Sequence, residues 1–313
     1  PSTTFTCYHG FYIGRNKKGC HCGGGTRRLN DGIYKSCNAY FVGAYKKIFE
    51  QFDSNAAAMD AWEKHVRSFG LGSYLGSDLH TGRPGSVPST ELYNKWYGEG
   101  DARWSAVTTY SNAIGQGEVN VTPIQLANMT AAIANRGFYY TPHILKKVNG
   151  EEISDPNFVD PKYTTINKRH FEPVIQGMAQ VYKRGTAQYV QIPDIEIAGK
   201  TGTVENFMVI DTVRTQLTDN SVFVAFAPVD NPQIAIAVYI QNGYYGSRYG
   251  GLIASLLLEK YLKGEITRKD LEKRMLERTL ESEYAKPYSG EAFEINEYDW
   301  SKHAIKPKFI QFV

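Results

Sequence analysis

The segment 196–205, with the sequence EIAGKTGTVE, constrains the fold of this chain more than any other segment. Its isoleucine and valine residues favour a β-strand, and its two glycines leave room for a ligand to lie along the backbone. Two more β-rich segments follow, at 221–227 and 233–241. A lysine and two hydroxyls beside exposed strand amides suit a ligand that carries a carboxylate and a carbonyl oxygen. We therefore expect a β-strand over this segment, with Lys200 at a ligand-binding edge.

The composition is typical of a globular protein. The chain has 313 residues, of which 42% are hydrophobic and 21% charged, enough for one large domain or two small ones. A net charge of +3 gives no basis for nucleic-acid binding, which needs a concentrated basic face. No apolar run approaches the about 18 residues of a membrane span, and the N-terminus has no signal-peptide pattern.

Helical signals surround the predicted strands. They cover the segments 29–49, 56–68, 123–136, 171–182 and 250–262. Thr122, Pro123 and Gln125 form a helix start with an N-cap, a proline at the first position and a capping-box glutamine. We expect Asn55 to cap the second helical segment, a short hairpin near residues 11–13, and a polar loop from 206 to 220.

Four short motifs accompany the Lys200-Thr201-Gly202 tripeptide. They are Ser36-Cys37-Asn38, Ile114-Gly115-Gln116-Gly117, Val121-Thr122-Pro123-Ile124-Gln125-Leu126-Ala127 and Arg184-Gly185-Thr186-Ala187. The Lys200 tripeptide and Ser36-Cys37-Asn38 resemble, in order and spacing, two motifs of the penicillin-binding proteins and serine β-lactamases, and the other three resemble segments of the class B transpeptidases. The likeness covers about residues 4–262 and is greatest to the elongation-type class B transpeptidases, the penicillin-binding protein 2-like group.

This resemblance implies roles for individual residues. Ser36 would relay a proton to or from the leaving group, Asn38 would bind the amide carbonyl of the substrate, and Lys200 would hold its terminal carboxylate and assist proton transfer at Ser36. These three are the candidate catalytic residues. The candidate substrate-binding residues are Thr201, Gly202 and Thr203, with the Thr203 amide in the oxyanion hole.

One motif of the family is absent. None of the serines is followed by a lysine three residues later, so the Ser-x-x-Lys nucleophile is not in this sequence. The resemblance therefore implies an N-terminally incomplete α+β fold, with an antiparallel sheet flanked by helices and an all-helical subdomain carrying Ser36. We expect a partial transpeptidase domain over 1–262 and a charged tail over 263–313, with a helix from Leu271 to Ser282.

The function implied by the resemblance is peptidoglycan D,D-transpeptidation through a serine acyl-enzyme, with no organic cofactor. The implied partners are the stem peptide, β-lactam antibiotics, a glycosyltransferase and other elongation-complex membrane proteins. The implied location is the periplasmic side of the bacterial inner membrane, with an anchor upstream of this chain. Two alternatives stay open: a non-catalytic peptidoglycan- or β-lactam-binding module, and a serine β-lactamase or β-lactam sensor.

All four cysteines lie within the first 37 residues, in a glycine-rich stretch with little core of its own. Four thiolates form a closed tetrahedral zinc site, which would stabilise such a stretch. We expect a structural zinc bound by Cys7, Cys20, Cys22 and Cys37. The spacing leaves two alternatives: His9 or His21 replacing one thiolate, or disulfides such as Cys7 with Cys20 or Cys22.

Overall fold

The structure is a computed structural model and describes residues 2–79, 82–210 and 212–281. No helix in these ranges combines the length and apolarity that crossing a membrane needs. The helices are α1 Leu29–Tyr34, α2 Asn38–Phe49, α3 Asn55–Arg67, α4 Thr90–Tyr97, α5 Pro123–Ala134, α6 Pro156–Val159, α7 Phe171–Arg184, α8 Leu252–Lys263 and α9 Lys269–Leu276. The strands are β1 Phe5–Cys7, β2 Gly10–Ile13, β3 Asn16–Gly19, β4 Gly25–Arg27, β5 Phe138–Tyr139, β6 Lys147–Val148, β7 Glu151–Glu152, β8 Lys162–Tyr163, β9 Ala198–Ile210, β10 Val213–Ala227 and β11 Ile234–Ile240.

The largest described sheet is antiparallel, in the order β11-β10-β9. Its register places Lys200 opposite Val224 and Thr203 opposite Ser221. The predicted polar loop from 206 to 220 is wrong, because β9 and β10 continue through it as a long hairpin. Pairing runs to Ile210 and Val213, with one irregularity between Leu217 and Asn220. A two-stranded ribbon tolerates polar residues because each strand still satisfies its backbone through the other.

The main core lies between this sheet and helices α1, α5, α7 and α8. Phe223 and Phe226 of β10 are fully buried, as are Ile175 of α7 and Leu258 of α8. Burying four such side chains stabilises the fold by about 1.5–3 kcal/mol each. The β-rich segments therefore form the sheet that the sequence predicts, and helices pack against it as an α+β fold requires.

A second cluster belongs to the helical side. Tyr45 and Phe49 of α2 pack with Met59 of α3, Tyr93 of α4 and Trp104. The 3-10 helix Tyr110–Ile114 lies against α2 and is tied to it by side-chain hydrogen bonds. This cluster gives the helical subdomain a core separate from that of the sheet.

The helix ends agree with most sequence signals. Thr122 and Gln125 form the predicted reciprocal capping box at the start of α5. The predicted cap at Asn55 is wrong by one residue: Ser54 accepts the hydrogen bond from Ala57, and Asn55 is the first helical residue. The predicted hairpin near residues 11–13 is confirmed as β2–β3.

The C-terminal segment remains attached to the fold as far as α9. Leu271 and Met275 of α9 pack against the main core. Ahead of it, Arg268 donates to the fully buried carboxylate of Glu259 at 2.9 Å. The predicted helix from Leu271 to Ser282 corresponds to the shorter α9, and residues 282–313 lie outside the described part of the chain.

Candidate active site

Ser36 lies in a tight turn between α1 and α2. Its φ angle is +52°, a left-handed conformation that is uncommon outside glycine and asparagine. The turn is closed by two backbone hydrogen bonds, from the N–H of Ser36 to Ile33 O and from the N–H of Cys37 to Gly32 O. A strained backbone held in this way fixes the direction of the serine side chain, as is common at functional sites.

The turn brings Ser36 to the lysine of β9, 164 residues away in sequence. The Lys200 ammonium donates to Ser36 Oγ at 2.8 Å and to its neighbour's carbonyl, Thr201 O, at 2.7 Å. Burial lowers the pKa of Lys200 to about 8, because desolvation disfavours the charged amine. A lysine with this pKa exchanges a proton near neutral pH, and its partner hydroxyl is within reach to take part.

Asn38 is the first residue of α2 and is half-buried, two positions from Ser36. Within the described part of the chain its side-chain amide forms no hydrogen bond, so both the NH2 donor and the carbonyl acceptor are unpaired. Cys37 between them is the N-cap of α2 and is fully buried. Ser36 and Asn38 therefore extend from a turn whose central side chain is anchored in the protein.

The threonines of β9 are already engaged. The Thr201 hydroxyl is 2.8 Å from that of Thr186, and the Thr203 hydroxyl accepts from the N–H of Gly246 at 3.3 Å. Gly202 lies between them with its backbone near Val222. These contacts orient the two hydroxyls along the strand beside Lys200.

Two residues that contact the threonines of β9 were not predicted as site residues, although both belong to motifs identified in the sequence. Thr186 binds Thr201, and Gln116 donates through Nε2 to the Thr203 carbonyl at 3.3 Å. They come from the segments after α7 and after the 3-10 helix Tyr110–Ile114. The glycines flanking Gln116 signal a tight turn, but no local pattern specifies which strand that turn reaches.

The four cysteines converge beside the Ser36 turn. All are buried and unpaired, and their Sγ atoms lie within 4.8 Å of one another. Cys37 Sγ is 3.1 Å from Cys22 Sγ and 3.9 Å from Cys20 Sγ. Four thiolates about 2.3 Å from a tetrahedral zinc would be about 3.8 Å apart, so this donor set fits such an ion. The group contains no histidine among the described residues.

Chemically, the site combines a proton-exchanging lysine, a hydroxyl within its reach, an amide side chain and an open strand edge. Such a set is suited to binding a carboxylate beside an acyl group and to moving a proton between the lysine and the hydroxyl. The sequence-predicted residues of β9 and of the Ser36 turn all lie in this one region. The Ser-x-x-Lys pair of an acylating serine is not in the sequence.

Comparison with known proteins identifies the family. The profile described as "Penicillin binding protein transpeptidase domain" matches residues 1–263. The chain is 31% identical over 256 residues to the peptidoglycan D,D-transpeptidase MrdA of Acinetobacter baumannii, covering 79% of this chain and 36% of that protein. It thus spans about a third of the length of the curated relative.

Solved structures show the same fold. The Pseudomonas aeruginosa penicillin-binding protein PBP2 in complex with WCK 5153 superposes with a TM-score of 0.69 at 28% identity, over 86% of this chain and 56% of that one. PBP2 from Helicobacter pylori, in its complex with MreC, gives a TM-score of 0.65 at 26% identity, over 84% and 46%. The chain described here belongs to the penicillin-binding protein transpeptidase family and is similar to its MrdA and PBP2 members.

Proposed function

We propose that this chain is part of a serine-type peptidoglycan D,D-transpeptidase, the portion that binds the stem peptide and moves the proton. One observation carries the proposal: Lys200 Nζ of β9 lies 2.8 Å from Ser36 Oγ in the turn between α1 and α2. An exposed surface lysine would not form this contact, and its pKa would not be lowered to about 8. The proposal places the acylated serine in a part of the protein outside this sequence.

The residues divide the work by position. Lys200 binds the terminal carboxylate of the donor peptide and exchanges a proton with Ser36, which passes it to the leaving amine. The Asn38 amide binds the carbonyl of the donor peptide. Thr201 and Thr203 present hydroxyls to the carboxylate, while the Thr203 N–H at the strand edge stabilises the developing oxyanion. β-Lactams acylate the same serine because they present the same carboxylate and carbonyl.

The test is acylation of the full-length protein by a fluorescent penicillin, with Lys200→Ala as the variant. Losing one group that stabilises the transition state typically costs about 3–4 kcal/mol, so we expect acylation to fall by a factor of about 10² to 10³. The far-UV circular dichroism and melting temperature should stay near wild type. Unchanged acylation kinetics would overturn the role of Lys200.

The matched control is Lys183→Ala. Lys183 is also a lysine near the sheet, but it is exposed and forms a salt bridge with Glu196. Such surface pairs contribute about 0–1 kcal/mol, so this variant should acylate at the wild-type rate. The 313-residue chain alone should show no covalent label, since it lacks the Ser-x-x-Lys pair. A stoichiometric label on it would assign the nucleophile to one of its own serines.

A non-catalytic binding module is the second candidate, favoured by the absence of Ser-x-x-Lys from the sequence. Both candidates bind a β-lactam, but only the enzyme forms an ester that survives denaturation. A denaturing gel of the labelled full-length protein therefore separates them. A serine β-lactamase or sensor is separated by turnover, because a β-lactamase releases the hydrolysed drug rapidly.

For the cysteine cluster we propose a structural zinc bound by Cys7, Cys20, Cys22 and Cys37. What supports it is the convergence of four buried, unpaired thiols within 4.8 Å. Four protein ligands leave no open position, so the ion would hold the Ser36 turn to the N-terminal strands and take no part in the reaction. Elemental analysis of protein purified without added metal should give one zinc per chain. Sub-stoichiometric zinc with a mass two or four daltons below the reduced value would replace it with disulfides.

We further propose a location on the periplasmic side of the inner membrane, anchored by a segment outside this sequence. The partners we propose are the peptidoglycan stem peptide, a glycosyltransferase and elongation-complex membrane proteins. The related H. pylori PBP2, solved in complex with MreC, supports partners of this kind. Copurification of the tagged full-length protein from membranes, against a soluble periplasmic control, tests the location and the partners together.

A further inference from the structure

Besides the contact of Lys200, the edge of β9 that does not pair with β10 carries a second side-chain hydrogen bond, at Thr203. In the described part of the chain β9 pairs only with β10, so its other edge is open to a ligand strand. Backbone groups of alternate residues point to the same edge of a strand. Thr201 and Thr203 are two residues apart, and both carbonyls accept hydrogen bonds from side chains outside β10. They therefore face the open edge.

Both of these carbonyls are occupied before any ligand arrives. Lys200 Nζ donates to Thr201 O at 2.7 Å, and Gln116 Nε2 donates to Thr203 O at 3.3 Å. A peptide that adds along this edge has amide N–H groups that need acceptors. The carbonyl oxygen of Thr203 has two lone pairs, and the Gln116 amide already lies at the open edge from which a ligand N–H would approach it.

The backbone of Gln116 is fixed while its side chain is free to leave. Gly115 and Gly117 on either side have φ angles of +69° and +74°, which only glycine adopts readily. A Cβ at Gly117 would approach Ser111 Cβ to 2.9 Å, and the Gln116 N–H bonds to Ser111 O at 3.0 Å. Within the described residues, the contact with Thr203 is the single hydrogen bond of the Gln116 side chain.

We propose that Gln116 competes with the ligand for the Thr203 carbonyl and so determines which acyl groups the site accepts. This inference rests on the proposed function. A ligand of the acylamino class, with an amide N–H next to its reacting carbonyl, replaces the Gln116 donor and recovers the hydrogen bond. A ligand without that N–H does not need the carbonyl and leaves the Gln116 hydrogen bond in place, so Gln116 reduces the advantage of the acylamino class. Gln116 is thus a specificity-determining residue at the edge of β9.

The test uses a pair of ligands that differ by one N–H. Benzylpenicillin and its derivative methylated at the side-chain amide nitrogen are each reacted with the full-length wild-type protein and with Gln116→Met. Methionine has a similar length and no donor, so it removes the competition and keeps the bulk. We expect the ratio of second-order acylation rates, N–H over N-methyl, to rise about fivefold. At 1.4 kcal/mol per factor of ten this corresponds to about 1 kcal/mol.

A second variant, Gln116→Glu, keeps the test informative if Gln116→Met fails to fold. Its carboxylate cannot donate, so the same ratio should rise in it as well. An unchanged ratio in both variants, with wild-type melting temperatures, would overturn the inference and leave the proposed function intact. Absence of acylation of the wild-type protein by both penicillins would overturn the proposed function and the inference with it.

Discussion

The two sides of the contact between Ser36 and Lys200 are held in place by different forces. On the sheet side, Lys200 belongs to a strand paired with β10, whose Phe223 and Phe226 are fully buried in the main core. On the other side, Ser36 lies in a left-handed turn next to Cys37, in a small cluster of thiols and aromatic rings. A hydrogen bond of 2.8 Å joins a strand of the main core to a turn that borders both that core, through Ile33 and Tyr34 of α1, and the thiol cluster.

The two sides should therefore differ in which mutations destabilise them. The sheet derives its order from buried area, which contributes about 25 cal/mol per Å² and needs no ligand. The Ser36 turn follows α1, which packs in the main core, and continues into Cys37, whose order we expect to depend on an ion bound by the four thiols. Perturbing the core should therefore unfold the domain, whereas perturbing the thiols should loosen one side of the site.

The largest expected effect is on the sheet side. Phe223→Ala removes a fully buried ring from β10, which should destabilise the protein by about 3–5 kcal/mol through lost transfer energy and a cavity. Phe207→Ala is the matched control, because Phe207 is the same residue type on the paired strand β9 but is 37% exposed. Urea unfolding should show less than about 1 kcal/mol for Phe207→Ala. Equal losses would mean that the hairpin tip belongs to the core.

The next effect tests the turn side. Cys37→Ser removes one proposed zinc ligand with little change in size and should lower acylation of the full-length protein about tenfold to a hundredfold. Hydrogen exchange gives the sharper measurement. Amides of residues 36–41 should exchange faster, whereas those of 221–227 in β10 should not change. A uniform increase over both segments would show that the cluster supports the whole domain rather than one turn.

Much of this comparison was predictable from sequence, because it depends on local pattern. The β-rich segments, the Thr122 capping box and the Lys200 strand follow from propensity and turn chemistry. The extension of the hairpin through 206–220 did not follow, since polar residues there satisfy strand pairing without burying a face. Val209 and Val213 at its end are 69% and 62% exposed, so no alternating core pattern marks them.

Among the site residues, too, some features were predictable from the sequence and others were not. The motifs predicted that Lys200 and Ser36 belong to one site, but the φ of +52° at Ser36 is set by hydrogen bonds to α1 that no propensity records. Gln116 and Thr186 reach β9 from 87 and 15 residues away in sequence. Contacts of this kind depend on how the helical subdomain meets the sheet, which is a tertiary property.

The pH dependence of acylation tests the contact between Lys200 and Ser36 directly. Burial lowers the pKa of Lys200 to about 8, so the ammonium that binds the carboxylate of a penicillin is lost as the pH rises through that value. Acylation of the full-length protein should therefore decline by up to tenfold per unit above about pH 8. Lys200→Arg keeps its charge over this range, because a guanidinium does not deprotonate in proteins.

The readout is the shape of the pH profile rather than its height. The arginine variant should acylate more slowly at every pH, since a guanidinium does not reproduce the contact of an amine with Ser36 Oγ. Its rate should nevertheless show no decline between pH 8 and 10. A decline at the same pH in both proteins would assign the titrating group to another residue.

The smallest expected effect concerns the segment that touches both sides. Gly185 packs so closely on the Tyr34 carbonyl that a Cβ there would lie 2.5 Å from it, and Arg184 stacks on the Tyr34 ring at 4.7 Å. The next residue, Thr186, shares a hydrogen bond with Thr201 at 2.8 Å. This segment therefore connects α1, two residues before Ser36, to the strand of Lys200.

Thr186→Val keeps the shape and removes the hydroxyl. If the contact only orients the Thr201 side chain, the loss should be that of one hydrogen bond, about 1 kcal/mol or about a fivefold decrease in the acylation rate of the full-length protein. Thr186→Ser keeps the hydroxyl and should acylate near the wild-type rate. A hundredfold loss in the valine variant would show instead that Thr186 couples the two sides, because one exposed hydrogen bond does not account for it. Equal rates close to wild type in the serine and valine variants would show that the hydroxyl of Thr186 contributes nothing to the site.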